Sequence, residues 1–195
     1  NEDLFRSTFN IPNDVSIFLY QGMLSKGRGI ELIIKTFKCF DVSNKCVVVF
    51  MGYGPLEGAV RDASDLCSNI FFHEAVSPDV VLHYTASADY GLSLIENKCL
   101  SYYFCMPNKI FEYTMVGLPV VCSDMLDMAR FVSGNDVGIV MKEPTVECLS
   151  ESILKIKSIP IEAFKQRCKN VSFEFCWDVQ GVKLVNCYQS VFADK

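Results

Sequence analysis

The segment PNKIFEYTMVGLPVVC, Pro107 to Cys122, places a cation and a carboxylate, Lys109 and Glu112, three residues apart on the opening turns of a predicted helix. Residues at that spacing share one helix face. Beside a helix N-terminus, whose free amides favour anions, such a pair can hold a sugar hydroxyl and a phosphate together. On its own the pair is equally compatible with an exposed ion pair worth roughly 0.3 kcal/mol, so the other loops decide its meaning.

Three further loops carry polar chemistry. GMLSKGRG, Gly22 to Gly29, holds three glycines that permit close backbone approach, and its amides lead into a helix. Lys26 and Arg28 bring positive charge to the same loop. It matches neither the Walker pattern nor the G-x-G-x-x-G fingerprint, which argues against simple ATP or NAD binding. Gly52-Tyr53-Gly54-Pro55 ends an apolar run, with glycines at which a base or sugar can approach the backbone. The third loop is His73, Glu74, Ala75 and Val76; no serine or cysteine nucleophile stands in evident relation to His73.

The elements that must position these loops follow from the apolar pattern. Val15 to Gln21 reads as a strand and Ile30 to Phe40 as a helix. Cys46 to Met51, CVVVFM, is a continuous apolar run, the mark of a strand covered on both faces. Pro55 can open the next helix, which runs to about Cys67. Ile70 to His73 is a third strand, Asp79 to Ser87 a helix, and Ala88 to Leu94 a fourth strand. A less regular segment precedes the helix of Lys109 and Glu112. Then come a strand at Pro119 to Cys122, a short helix at Asp124 to Val132 and a strand at Gly138 to Met141. A helix spans Thr145 to Ile156 with Thr145 as N-cap, and two more cover Ile161 to Asn170 and Phe175 to Phe192. The last carries Trp177, Val182, Val185 and Tyr188 along one stripe. Strands alternating with helices predict an α/β fold: a Rossmann-like, doubly wound parallel sheet of about six strands with helices on both faces, in one domain over residues 1–195. In such a sheet ligands lie beyond the carboxyl ends of the strands, where all four loops fall.

Half of the 195 residues are hydrophobic and 21% are charged, which marks a globular chain. The net charge of -5, with no basic tract, argues against nucleic acid as a partner. No apolar run is long enough to span a bilayer, and no secretory signal is visible at the N-terminus. The ten cysteines form no C-x-x-C pair and the two histidines do not cluster with them. Most lie in apolar segments, Cys46, Cys99, Cys122, Cys168 and Cys187 among them, and read as reduced, mostly buried residues of a cytoplasmic protein. The Asn170-Val171-Ser172 sequon is then a chance match. No metal site and no cofactor are expected.

In order, YQGMLSKGRGIELI, VVVFMGYGP, NIFFHEAVSP with LHYTASADYGLSLIE, PNKIFEYTMVGLPVVCSD and GIVM resemble the carboxyl-terminal half of a GT-B glycosyltransferase, in particular the large retaining family four. FEFCWDVQGVKLVNCYQSVF is similar to the closing helix of that fold, and NEDLFRSTF to the segment entering its second domain. The resemblance implies a nucleotide-sugar donor, UDP- or GDP-linked. It implies that Gly22 lies at the donor diphosphate, that Arg28 is a phosphate-binding cation assisted by Lys26, and that Asn108 and Lys109, of the Asn-Lys-x-x-Glu-Tyr variant, bind the donor, Lys109 near the phosphates or sugar. It implies Glu112 as acceptor of ribose hydroxyls, and Gly54 with the His73, Ala75 and Val76 loop around the nucleobase. It further implies that the amino-terminal, acceptor-binding domain is absent, that this half alone is inactive, and that the products are polysaccharides or glycolipids. Peripheral association with the inner face of a membrane, through the absent domain, follows from such acceptors.

Two positions depart from the family pattern. Phe104 stands where the first carboxylate of Glu-x7-Glu belongs, with Glu96 the nearest substitute, and Met23 replaces an arginine. Two other readings therefore stay open: the corresponding half of a nucleotide-sugar epimerase, and a catalytically silent Rossmann-like binding module.

Overall fold

The computed structural model describes residues 3–193. Six strands form its sheet: β1 (Ser16–Met23), β2 (Cys46–Tyr53), β3 (Ile70–Glu74), β4 (Tyr90–Ser93), β5 (Val120–Ser123) and β6 (Gly138–Met141). All pairings are parallel and the order is β3-β2-β1-β4-β5-β6. The order reverses between β1 and β4, and ligands of open parallel sheets settle at such a crevice. Right-handed crossovers place α2 (Ile30–Cys39) and α3 (Glu57–Leu66) on one face. They place α4 (Pro78–Thr85), α6 (Asn108–Met115) and α7 (Leu126–Gly134) on the other. After β6, α8 (Val146–Lys157) packs against α2, and α9 (Ile161–Phe175) packs against α6.

Covering by helices on both faces explains why CVVVFM lacks alternation: Cys46 to Gly52 are all buried. Val48, Val49 and Phe50 are fully enclosed, each worth about 1.5–3 kcal/mol of transfer free energy. Past Leu19 and Gly91, the last pair joining β1 to β4, the two strands are bridged by a side chain. The Tyr113 hydroxyl lies 3.0 Å from Leu19 O and 3.2 Å from Leu92 O, and accepts the Gln21 N–H at 3.3 Å. Gly91 makes room for the ring, since a Cβ there would stand 2.3 Å from Tyr113 Cδ2. Burial holds the Tyr113 phenol well above its ordinary pKa, so it remains a donor.

The expected strands and helices are present, with shifted ends. The largest correction concerns the last two helices. They break at Cys176 and not in residues 171–174, giving α9 and α10 (Trp177–Ala193), because apolar side chains run through the junction without a sequence-visible stop. Two short helices were outside the pattern: α1 (Leu4–Phe9) and α5 (Leu100–Tyr103), both too brief for a helical period to register. The α1 segment lies within NEDLFRSTF, whose first two residues are outside the described ones. Arg6 on α1 pairs with Asp3 at 2.7 Å and Asp89 at 2.8 Å, fastening α1 to the amino ends of β1 and β4. Thr145 does cap α8, accepting the Cys148 N–H at 3.1 Å. The cysteines are less uniformly buried than expected. All ten are free, and Cys46, Cys122 and Cys168 are buried, but Cys99, in the extended segment just before α5, and Cys187, on α10, are exposed.

Candidate functional site

A cleft of about 450 Å³ opens at the carboxyl ends of β1, β2 and β3, beside the point of strand reversal. Its floor is Gln21 and Gly22 from β1 with Met51 and Gly52 from β2. Gly22 and Gly52 are in register, and a Cβ on Gly52 would stand 1.9 Å from Gly22 O, so the floor is bare backbone. One end is walled by Tyr53, Ala75, Val76 and Val81, a largely apolar slot. Asn108, Lys109 and Glu112 of α6 and Arg28 of the β1–α2 loop form the polar end. No side chain caps the N-terminus of α6, so its first amides are left for a ligand or water.

Two cations converge at the polar end. Lys109 is half-buried as a residue, but its ammonium is enclosed: Nζ lies 3.7 Å from the Tyr20 ring centroid and beside Gly22. Desolvation, reinforced by the Arg28 guanidinium and opposed by Glu112, pulls its pKa down to about 7. Arg28 lies with Cζ 5.5 Å from the Tyr102 ring centroid, and its buried Nε has no hydrogen-bond partner. Among the described residues neither cation forms an ion pair. Two close positive charges without counter-ions are costly unless an anion comes to them.

Glu112 faces the same space and is held from below. Gln21 Nε2 donates to Glu112 Oε2, and Gln21 Oε1 lies 2.7 Å from the Thr85 hydroxyl. Of the residues picked out in the sequence, the cleft brings together Gly22, Arg28, Ala75, Val76, Asn108, Lys109 and Glu112. Three lie elsewhere. Lys26 is exposed on the loop before α2. Gly54 supports that loop: a Cβ there would stand 2.6 Å from Leu24 O, at φ +145°. The His73 ring is among aromatics, 5.9 Å from Phe5 and 4.8 Å from Tyr84, with Nδ1 2.6 Å from Glu74 O. Gln21 and Thr85 went unnoticed in the sequence. A glutamine closing the apolar run VSIFLYQ was the available signal, since a buried amide needs a partner.

A second cleft, of about 530 Å³, lies across the Gly29 turn, at the ends of β4, β5 and β6. Glu96 lines it, paired with Lys98 at 2.7 Å, and so is not in the cleft of Lys109 and Glu112. Phe104 is half-exposed in the turn after α5. Among the described residues no three His, Cys, Asp or Glu side chains are grouped to hold a metal ion. No helix among them is long and apolar enough to cross a membrane.

The family model of glycosyl transferases group 1 matches residues 16–158. Among solved structures, the chain is similar to sucrose-phosphate synthase from Thermosynechococcus elongatus, with TM-score 0.76 and 19% identity over 97% of this chain and 49% of that one. It is similar to WaaG, a glycosyltransferase involved in lipopolysaccharide biosynthesis, with TM-score 0.68 and 20% identity over 87% of this chain and 46% of that one. The N-terminal domain of Candida albicans trehalose-6-phosphate phosphatase gives TM-score 0.73 and 10% identity, over 97% and 44%. At these identities the likeness is one of fold. The chain spans less than half the length of each of these structures. No curated protein matches it in sequence.

Proposed function

The chain belongs to the group 1 glycosyl transferases, and we propose that it is the donor-binding half of such an enzyme, holding a UDP- or GDP-sugar. The carrying observation is the convergence of Arg28 and Lys109, neither in an ion pair among the described residues, with an oriented Glu112 at the point of strand reversal. The apolar slot of Tyr53, Ala75, Val76 and Val81 takes the base. Glu112 accepts ribose hydroxyls, its ionised carboxylate being an acceptor with two oxygens. The diphosphate lies over the bare backbone at Gly22, between Arg28, Lys109 and the uncapped amides of α6. As the bond from sugar to phosphate breaks, charge gathers on the leaving diphosphate, and these fixed donors stabilise it. Lys26, exposed on the same loop, adds long-range attraction.

In the intact enzyme the reaction is transfer of a hexosyl group, with retention, to an acceptor of polysaccharide or glycolipid synthesis at the cytoplasmic side of a membrane. The acceptor belongs to a further domain. Its docking surface is the apolar stripe of α10, where Trp177 is 74% exposed, Val185 53% and Tyr188 61%. A helix carrying such a stripe in solvent is ordinarily covered in the complete assembly. A silent binding module is the second reading, favoured by Phe104 at the turn where the family pattern has a carboxylate. Calorimetric titration of the full-length protein with UDP and GDP, followed by mass-spectrometric product analysis with a panel of donors, tests the proposal. Nucleotide binding with product supports it; binding without product under every donor supports the silent module.

A further inference from the structure

Gln21, in the floor of the cleft, is 3% exposed and Thr85, at the end of α4, is 0% exposed, two buried polar side chains. Buried polar groups of this kind are costly unless paired. Their pairing runs outward to the site, from the Thr85 hydroxyl to Gln21 Oε1 at 2.7 Å and from Gln21 Nε2 to Glu112 Oε2. The orientation of the amide follows from chemistry. A carboxylate only accepts, so the atom of Gln21 that faces Glu112 must be the NH2 group. Oε1 then faces the Thr85 hydroxyl, whose single proton is divided between Gln21 Oε1 and Val81 O, each 2.7 Å away. Reversing the amide would set a carbonyl oxygen against the carboxylate.

The backbone of the same residue is fixed from the same helix. Gln21 N donates to the Tyr113 hydroxyl at 3.3 Å, and Tyr113 follows Glu112 on α6. The end of β1 and the first turns of α6 are thus joined at two adjacent points. Thr85 closes α4, whose Val81 lines the apolar slot, so the chain of bonds links the two ends of the cleft.

We propose that Gln21 and Thr85 are positioning residues that set Glu112 to read the ribose. The amide engages Glu112 Oε2 and leaves its Oε1 for a hydroxyl of the ligand. The site then selects ribonucleotides over deoxyribonucleotides, and that selectivity is set through Glu112 by the side chains that orient it. This inference rests on the nucleotide reading of the cleft.

The test is titration of the full-length protein with the better bound of UDP and GDP, and with its 2′-deoxy and 3′-deoxy forms. Wild type binds the ribonucleotide about tenfold more tightly than at least one deoxy form, the magnitude of a hydrogen bond to a charged group. Gln21→Met lowers ribonucleotide affinity roughly tenfold and changes that deoxy form less than about twofold. Thr85→Val, nearly isosteric and the safer variant for folding, shifts the ratio in the same direction. A merely structural role would weaken both ligands equally and leave the ratio as in wild type; that result overturns the inference while the nucleotide reading stands. Wild-type binding without ribose discrimination overturns it as well. Failure of wild type to bind either nucleotide overturns the nucleotide reading, and this inference with it.

Discussion

Lys109 and Glu112 stand one helical turn apart on α6 and line one cleft without pairing with each other. Glu112 turns to the Gln21 amide, and Lys109 lies over the Tyr20 ring. Sequence spacing alone suggests an ion pair; the floor of the cleft separates the two charges and gives each its own direction. Both thereby remain available to one ligand carrying hydroxyls at one end and phosphates at the other.

Donor affinity falls as pH rises through neutrality. Lys109 has a pKa of about 7 in the free protein, and it is the protonated form that attracts a diphosphate. Binding therefore takes up a proton. Titration with UDP-glucose or GDP-mannose, whose diphosphates do not ionise further near neutrality, shows a loss of up to about tenfold per pH unit above that value. Lys109→Arg flattens the profile. The same shift makes the unliganded fold more stable as pH rises from about 7 toward the ordinary lysine value, because the unfolded chain then holds the extra proton.

Removing the two kinds of contact separates ribose from phosphate. Glu112→Ala weakens uridine or guanosine and their diphosphates alike, by roughly tenfold or more. Arg28→Ala weakens the diphosphates by a similar factor and leaves the nucleosides within about twofold. Calorimetry on each pair of ligands reads the distinction directly.

Tyr113 is a stability element as well as a neighbour of the site. Tyr113→Phe removes the hydroxyl that joins β1 to β4 and lowers stability by about 1–2 kcal/mol. Gly91→Ala drives a methyl into the Tyr113 ring and costs about 1–3 kcal/mol. Urea unfolding would show a lower midpoint with an unchanged slope in both.

The stripe on α10 makes a separate prediction. Val185→Asp and Tyr188→Lys leave the unfolding free energy of this domain, from urea titration, within about 0.5 kcal/mol of wild type, as exposed substitutions do. The same changes weaken association with the separately expressed remainder of the enzyme, measured by sedimentation.

Strands covered on both faces were the most legible part of the chain. CVVVFM announces β2 because the absence of alternation is itself the signal, and GIVM gives β6 with its observed ends. Relations between distant segments were not legible. The His73 position beside Phe5 depends on α1, whose six residues carry no periodic signal. Gln21 meets Glu112 across 91 residues, and only the strand order brings them together. The break at Cys176 escaped because aromatic residues continue on both sides of it.

An enclosed amine that is about half unprotonated at neutral pH is also a nucleophile. Ordinary lysines at that pH are almost wholly charged and unreactive. Lys109 therefore offers a covalent handle inside the cleft: condensation with an aldehyde carrying a phosphate, with loss of water, would give an imine that reduction traps for mass spectrometry, and bound nucleotide would shield it.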